Sequence, residues 1–131
     1  MAIEFNFKSQ IATSREQSEK LLALGLKAET ADMKYPGTRE YYGGVLTEGV
    51  SSLPIIIDTE DDEVTEWDIP AWSLHRLLLL IPKEVNIDGY RFPLRSDAVM
   101  RMDEADDMYE YLIGVLERTI KEGYFNKEYL V

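Results

Sequence analysis

The chain is predicted to be an α+β domain, with three helices packed on a small, mainly antiparallel sheet and residues 1–131 forming one unit. Three observations predict it. Apolar residues recur at helical spacing in three separate stretches. An Asp88-Gly89 pair divides two short alternating segments, the pattern of a tight hairpin. No internal repeat and no Gly-, Ser- or Pro-rich linker splits the 131 residues. A domain of that length buries roughly two-thirds of the surface its unfolded chain exposes, enough for a core without staples.

The first helix is expected from about Ser14 to Leu24. Thr13 with Glu16, or Ser14 with Gln17, has capping-box spacing, in which a hydroxyl and a side-chain acceptor satisfy free backbone N–H groups. Leu21, Leu22 and Leu24 supply its apolar side, and Gly25 is placed to end it in a left-handed conformation. Tyr41 to Leu46 is a weak strand candidate, because Gly43-Gly44 interrupts it. Leu53 to Asp58 is short and apolar enough for a buried strand.

The second helix is expected to begin within Pro70-Ala71-Trp72-Ser73 and to end near Ile81, since Pro82 prevents continuation. Leu74, Leu77, Leu78 and Ile81 mark one face, and Leu79 and Leu80 carry apolarity round the rod, which places this helix centrally. Glu84 to Ile87 and Tyr90 to Arg95 form the hairpin around Asp88-Gly89. Tyr90, Phe92 and Leu94 alternate with Arg91, Pro93 and Arg95, as on a strand with one buried face, and Pro93 puts that strand at an edge. Ala98 to Met102 reads as a further strand after a turn at Ser96-Asp97. The third helix is expected from about Glu104 to Glu122, with Asp103 as N-cap, Gly123 as the stop, and Ala105, Met108, Leu112, Val115, Leu116 and Ile120 at helical spacing.

Charge is distributed unevenly. Between Glu40 and His75 stand nine acidic residues and no lysine or arginine, so this stretch accounts for nine of the eleven net negative charges. A localised field of this kind governs which partners approach. The overall charge of −11 opposes binding to nucleic-acid phosphates and to anionic membranes, so neither partner is expected. The absence of cysteine excludes disulfides, thiolate metal sites and cysteine nucleophiles, and fits a reducing compartment. Met1 to Lys8 lacks a basic region followed by an apolar core. The longest apolar run, Leu77 to Pro82, is far short of the ~20 residues that span a bilayer. A cytoplasmic protein is the expectation.

Candidate chemistry is sparse. Asp58, Glu60 and Asp62 stand at the first, third and fifth positions of a calcium loop, but Glu63 replaces its glycine and Ile69 its bidentate glutamate. A solvated acidic loop is the preferred reading. His75 is the one histidine; Ser73 and Asp68 lie near it in sequence. On one helix, however, Ser73 and His75 point roughly 200° apart. Gly43-Gly44 lacks the spacing, lysine and helix start of a phosphate loop. No catalytic set, cofactor or metal site is assigned.

Two stretches together carry a resemblance: Thr13 to Leu26 followed by Thr30-Ala31-Asp32-Met33, and Ile69-Pro70-Ala71-Trp72-Ser73-Leu74 leading to Leu77-Leu78 and Ile81-Pro82. The chain resembles a group of small proteins, without an assigned activity, from gut Bacteroides-type bacteria and their phage-like or mobile elements. That resemblance implies a bacterial cytoplasmic setting and an accessory role linked to mobile DNA.

The expected function is that of a non-enzymatic accessory or interaction protein. Asp58, Glu60, Asp61, Asp62, Glu63 and Glu66 would steer a basic protein partner, with Trp67 or Trp72 as anchor. The alternatives are a small enzyme or ligand-binding domain with a carboxylate-lined pocket, and an acidic nucleic-acid mimic that inhibits a DNA-binding protein. A homodimer is left open.

Overall fold

The computed structural model describes residues 10–57 and 64–131. Among the described residues the fold is α+β, with four α-helices and three small antiparallel sheets. Helix α1, Arg15–Ala23, starts at a complete capping box: Ser14 Oγ accepts from Gln17 N at 3.2 Å, and Gln17 Oε1 accepts from Ser14 N at 3.0 Å. Gly25, at φ +99°, ends it as expected. One 3₁₀ turn, Ala28–Thr30, then leads into the central strand β1, Met33–Tyr35.

Strand β1 is flanked by β4, Ile55–Ile56, and β5, Ile69–Ala71, both antiparallel to it. Met33 faces Ile56 on one side and Ala71 on the other. Pro70 occupies β5, an edge strand, where its missing N–H costs least. The expected buried strand at Leu53 to Asp58 is thus reduced to two residues, and both Ile55 and Ile56 are exposed. Asp58 lies outside the described residues.

Strands β2, Gly37–Tyr42, and β3, Val45–Val50, form a separate hairpin. Gly43-Gly44 does not interrupt a strand; it is the two-residue turn between them, at φ +57° and +84°. Two successive positive φ values match the twist of the flanking strands, and glycine reaches them without steric cost. The third sheet pairs β6, Val85–Ile87, with β7, Tyr90–Phe92, around Asp88 and Gly89 as predicted, and Asn86 Oδ1 accepts from Gly89 N at 2.9 Å. Its Tyr90 is exposed rather than buried.

Helix α2, Leu74–Leu80, is capped by Ser73 and stops before Pro82. Leu77, Leu80 and Ile81 are buried, while Leu79 faces out. Residues Leu94–Met102, in which a strand was expected over 98–102, form helix α3. Pro93 ends the ladder, and from there Leu94, Ala98 and Met102 recur at i, i+4, i+8 on the side that packs against the core. Asp97 and Arg101 add an i, i+4 ion pair. Asp103 is therefore the C-cap of α3, and helix α4 starts later than expected, at Met108–Lys121, with Asp107 as its N-cap. Its far end is a Schellman closure: Gly123 adopts φ +80°, and Tyr124 N donates to Thr119 O at 3.0 Å.

The main core joins Leu21, Leu26, Trp72, Leu77, Ile81, Leu112, Ile113 and Leu116, all fully enclosed. A second cluster, Ala12, Met33, Tyr35 and Ala71, lies under the three-stranded sheet. Thr13 ties the two together. Its backbone N–H donates to Trp72 O, its Oγ1 accepts from Trp72 N, and its carbonyl accepts from the Tyr35 hydroxyl. Among the described residues no helix is long and apolar enough to cross a membrane.

Candidate functional site

The β2–β3 hairpin has a fixed base and an exposed tip. At the base, Arg15 Nη2 of α1 donates to the Val50 and Ser51 carbonyls at 3.1 and 3.4 Å, and Ser51 N donates to Pro36 O at 2.8 Å. Gly37 N donates to Asp68 Oδ1 at 2.8 Å. The other carboxylate oxygen of Asp68 accepts from Lys34 Nζ at 3.3 Å and from Thr65 N and Oγ1 at 3.0 Å each. Burial alone pushes this carboxyl group's pKa upward, but the four donors outweigh it and hold the pKa below the usual range. Asp68 thereby clasps the turn at residues 64–68 onto the start of β2.

Close backbone approach completes the clasp. A Cβ on Gly37 would lie 2.1 Å from the Trp67 carbonyl oxygen, so only glycine fits there. Above this point the Arg39 guanidinium stacks on the Trp67 indole, 3.4 Å from the ring centroid, and also reaches Glu48 Oε1 at 3.1 Å. Residues opposite each other in an antiparallel ladder share a face, and that face repeats every second residue. The registers Arg39↔Glu48 and Tyr41↔Leu46 therefore lie on one face of the hairpin, beside Trp67, and Tyr42↔Val45 on the other.

Beyond the clasp the tip is open. Tyr41 is 73% exposed, Tyr42 67% and Val45 66%. Among the described residues, neither outer edge of this two-stranded sheet pairs with another strand. Leu53 and Ile56 extend the exposed apolar surface along the chain that follows β3. An isolated hairpin is marginal in water, and unpaired edges next to large apolar side chains characterise strand-receiving surfaces.

The residues proposed from sequence separate into three groups. Trp67 is at the site, 39% exposed under Arg39, and Glu66 is exposed beside it in the same turn. Trp72 is 0% exposed. It belongs to the core, with its indole N–H donating to Thr30 Oγ1 at 3.0 Å, and it is not a surface anchor. Asp58, Glu60, Asp61, Asp62 and Glu63 lie outside the described residues. From sequence, the tip residues Tyr41, Tyr42, Val45 and Leu46 belong only to a weak strand candidate. Reading Gly43-Gly44 as a hairpin turn was the signal that finds them.

Elsewhere, Ser73, Asp32 and Asp68 are engaged in structural hydrogen bonds. Ser73 Oγ donates to Asp32 Oδ2 at 2.5 Å and accepts from Arg76 N, while Asp32 Oδ1 accepts from Ser73 N. This is a doubled helix cap, with both carboxylate oxygens taken. Asp32, Glu29 and Arg76 line a broad cavity of about 1170 Å³, the nearest match to a carboxylate-lined pocket. His75 is exposed on α2. Asp68 is bound to Lys34, Gly37 and Thr65, so Ser73, His75 and Asp68 do not assemble. Among the described residues no three His, Cys, Asp or Glu side chains group to hold a metal ion.

Comparison with protein-family models, curated proteins and solved structures finds no match to this chain. The functional reading rests on the site alone.

Proposed function

We propose that this chain is a non-enzymatic interaction protein that receives an extended, basic segment of a protein partner along the β2–β3 hairpin. The observation that carries the reading is the hairpin tip: Tyr41, Tyr42 and Val45 are each about two-thirds exposed or more, on a base fixed by Arg15, Gly37 and Asp68. Large aromatics on a rigid base anchor partners at low entropic cost. The unpaired edges offer main-chain hydrogen bonds, and side chains at alternate positions of an added strand would meet the tip.

Charge selects the partner. The stretch from Glu40 to His75 carries nine acids and no lysine or arginine, with Glu48 and Glu66 at the site itself. A basic segment is attracted, whereas a second copy bringing the same acids is repelled. The setting in which this reading is placed is the bacterial cytoplasm, in an accessory role linked to mobile elements.

A short fluorescein-labelled peptide alternating lysine with valine tests the reading, with a glutamate–valine peptide as control. The lysine peptide should bind, lose affinity steeply as salt rises, and associate more slowly with the D61K/D62K chain. Tyr41→Ser with Tyr42→Ser should weaken binding by about tenfold or more in a chain that remains folded. Equal binding of both peptides, or indifference to the tyrosine pair, rejects the proposal.

A further inference from the structure

We infer that a second site, a cavity of about 480 Å³ between the β6–β7 hairpin, α3 and the C-terminal half of α4, binds a small amphipathic carboxylate. The volume lies within the range of roughly 300–1,000 Å³ typical of small-molecule sites. Its position is independent of the β2–β3 hairpin, and none of its lining residues belongs to that surface.

The walls have two characters. Val85, Phe92, Leu94 and Val115 make an apolar floor, supplied by β6, β7, α3 and α4, and Leu94 and Val115 also pack against the main core. The polar groups at the rim are the guanidiniums of Arg101 and Arg118, the carboxylates of Asp97 and Glu122, and three hydroxyls. Arg101 spends only its Nε on Asp97, at 2.9 and 3.1 Å to the two carboxylate oxygens, which leaves its terminal nitrogens unbonded. The Arg118 guanidinium makes no ion pair or hydrogen bond with any described residue, and the Tyr111 and Tyr124 hydroxyls make no hydrogen bond with one. Thr119 is already committed, its hydroxyl donating to Val115 O at 2.6 Å.

Acceptors at this rim are few. Asp97 is neutralised by Arg101, and Glu122, which also lines the cavity, is the one carboxylate there without an ion pair. The donors left over are the Arg118 guanidinium and the terminal nitrogens of Arg101, against Glu122 as the one carboxylate of the lining without an ion pair. An oxyanion head group satisfies them, and guanidinium groups match carboxylate geometry. With Arg101 and Arg118 against Asp97 and Glu122 the lining is formally neutral, so a head group with more than one negative charge is disfavoured. The apolar floor calls for a hydrocarbon or aromatic body. Together these select an amphipathic monocarboxylate.

The experiment compares decanoate, decanol and decyltrimethylammonium on the ¹⁵N-labelled 131-residue chain, below the concentration at which any of them forms micelles. Decanoate should shift amide resonances on 85–101 and 111–124 and bind about tenfold more tightly than decanol, with decyltrimethylammonium weakest. Arg118→Gln, an exposed change, should lower decanoate affinity about tenfold and leave decanol binding and the unfolding temperature unchanged. Val115→Trp, which fills the cavity, should abolish both. Equal binding of the three probes, shifts confined to other surfaces, no binding, or an Arg118→Gln chain that holds decanoate as tightly as the parent overturns the inference.

Discussion

Lys34 of β1 and Asp68 of the turn before β5 form an ion pair, Nζ to Oδ2 at 3.3 Å, with side chains only 9% and 8% exposed. Buried pairs are weak arguments for stability, because desolvation offsets much of the attraction, yet removing one partner is costly. Here the same carboxylate also holds Gly37 and Thr65, so it joins the three-stranded sheet, the 64–68 turn and the β2–β3 hairpin. Asp68→Asn should cost about 3 kcal/mol. The pH dependence has a definite sign. The folded-state pKa lies below the unfolded value of about 3.9, so the contribution is fully present above that value and is lost as pH falls through the lower, folded value. Thermal unfolding followed from about pH 7 down to pH 2 should show a drop below about pH 4 that is reduced in Asp68→Asn. An identical drop in both chains counts against this clasp.

Gly37 and Trp67 make the second half of that clasp. A methyl group at position 37 would meet the Trp67 carbonyl at 2.1 Å, and backbone cannot move aside as a flexible side chain does. Gly37→Ala should therefore destabilise by about 1–3 kcal/mol, the cost of overpacking. It should also separate Arg39 from the Trp67 ring. The Trp67 indole N–H resonance is the readout, since loss of the stacked cation at 3.4 Å changes its surroundings while the Trp72 resonance stays put.

The turn at Gly43-Gly44 is where composition misleads and geometry decides. Read by propensity, two glycines weaken a strand; read by twist, they are the pair that lets two strands meet. At φ +57° and +84°, a side chain at either position would pay the left-handed penalty of roughly 1–2 kcal/mol per residue. Asparagine tolerates that region, so Gly43→Asn should leave the hairpin intact, whereas Gly44→Val should open it. Amide exchange in β2 and β3 should speed up in the valine chain alone, with the helical core unaffected. Peptide binding should fall in parallel.

The parts of the fold that were legible are those governed by local rules. The Ser14–Gln17 capping box, Gly25, the Asp88-Gly89 turn and the α4 stripe each follow from contacts within a few residues. Helix α3 was not legible as a helix, because Ala98-Val99-Met100 is equally apolar read at either period. Only packing against α4 makes Leu94, Ala98 and Met102 the face that counts. The division into three sheets was hidden for a related reason: which strands pair over long sequence separations is set by the core, not by any single segment. Of the site, charge and Trp67 were visible. The exposed hairpin tip was not, since Tyr and Val in a strand pattern read as buried.

Trp67 and Trp72 put that distinction to a direct test. They stand five residues apart in a stretch where sequence gave both the same role, yet one is capped by a guanidinium at the surface and the other is sealed in the core. Trp72→Ala removes the largest fully buried side chain and the bond to Thr30 Oγ1, and should cost about 3–5 kcal/mol. Trp67→Ala gives up a partly exposed stack, worth about 0.5–1 kcal/mol, and some packing against the hairpin base. Chemical denaturation should order the variants accordingly, while affinity for the lysine–valine peptide should drop in the folded Trp67→Ala chain. A Trp67→Ala chain as destabilised as Trp72→Ala would make Trp67 a structural wedge instead of part of the binding face.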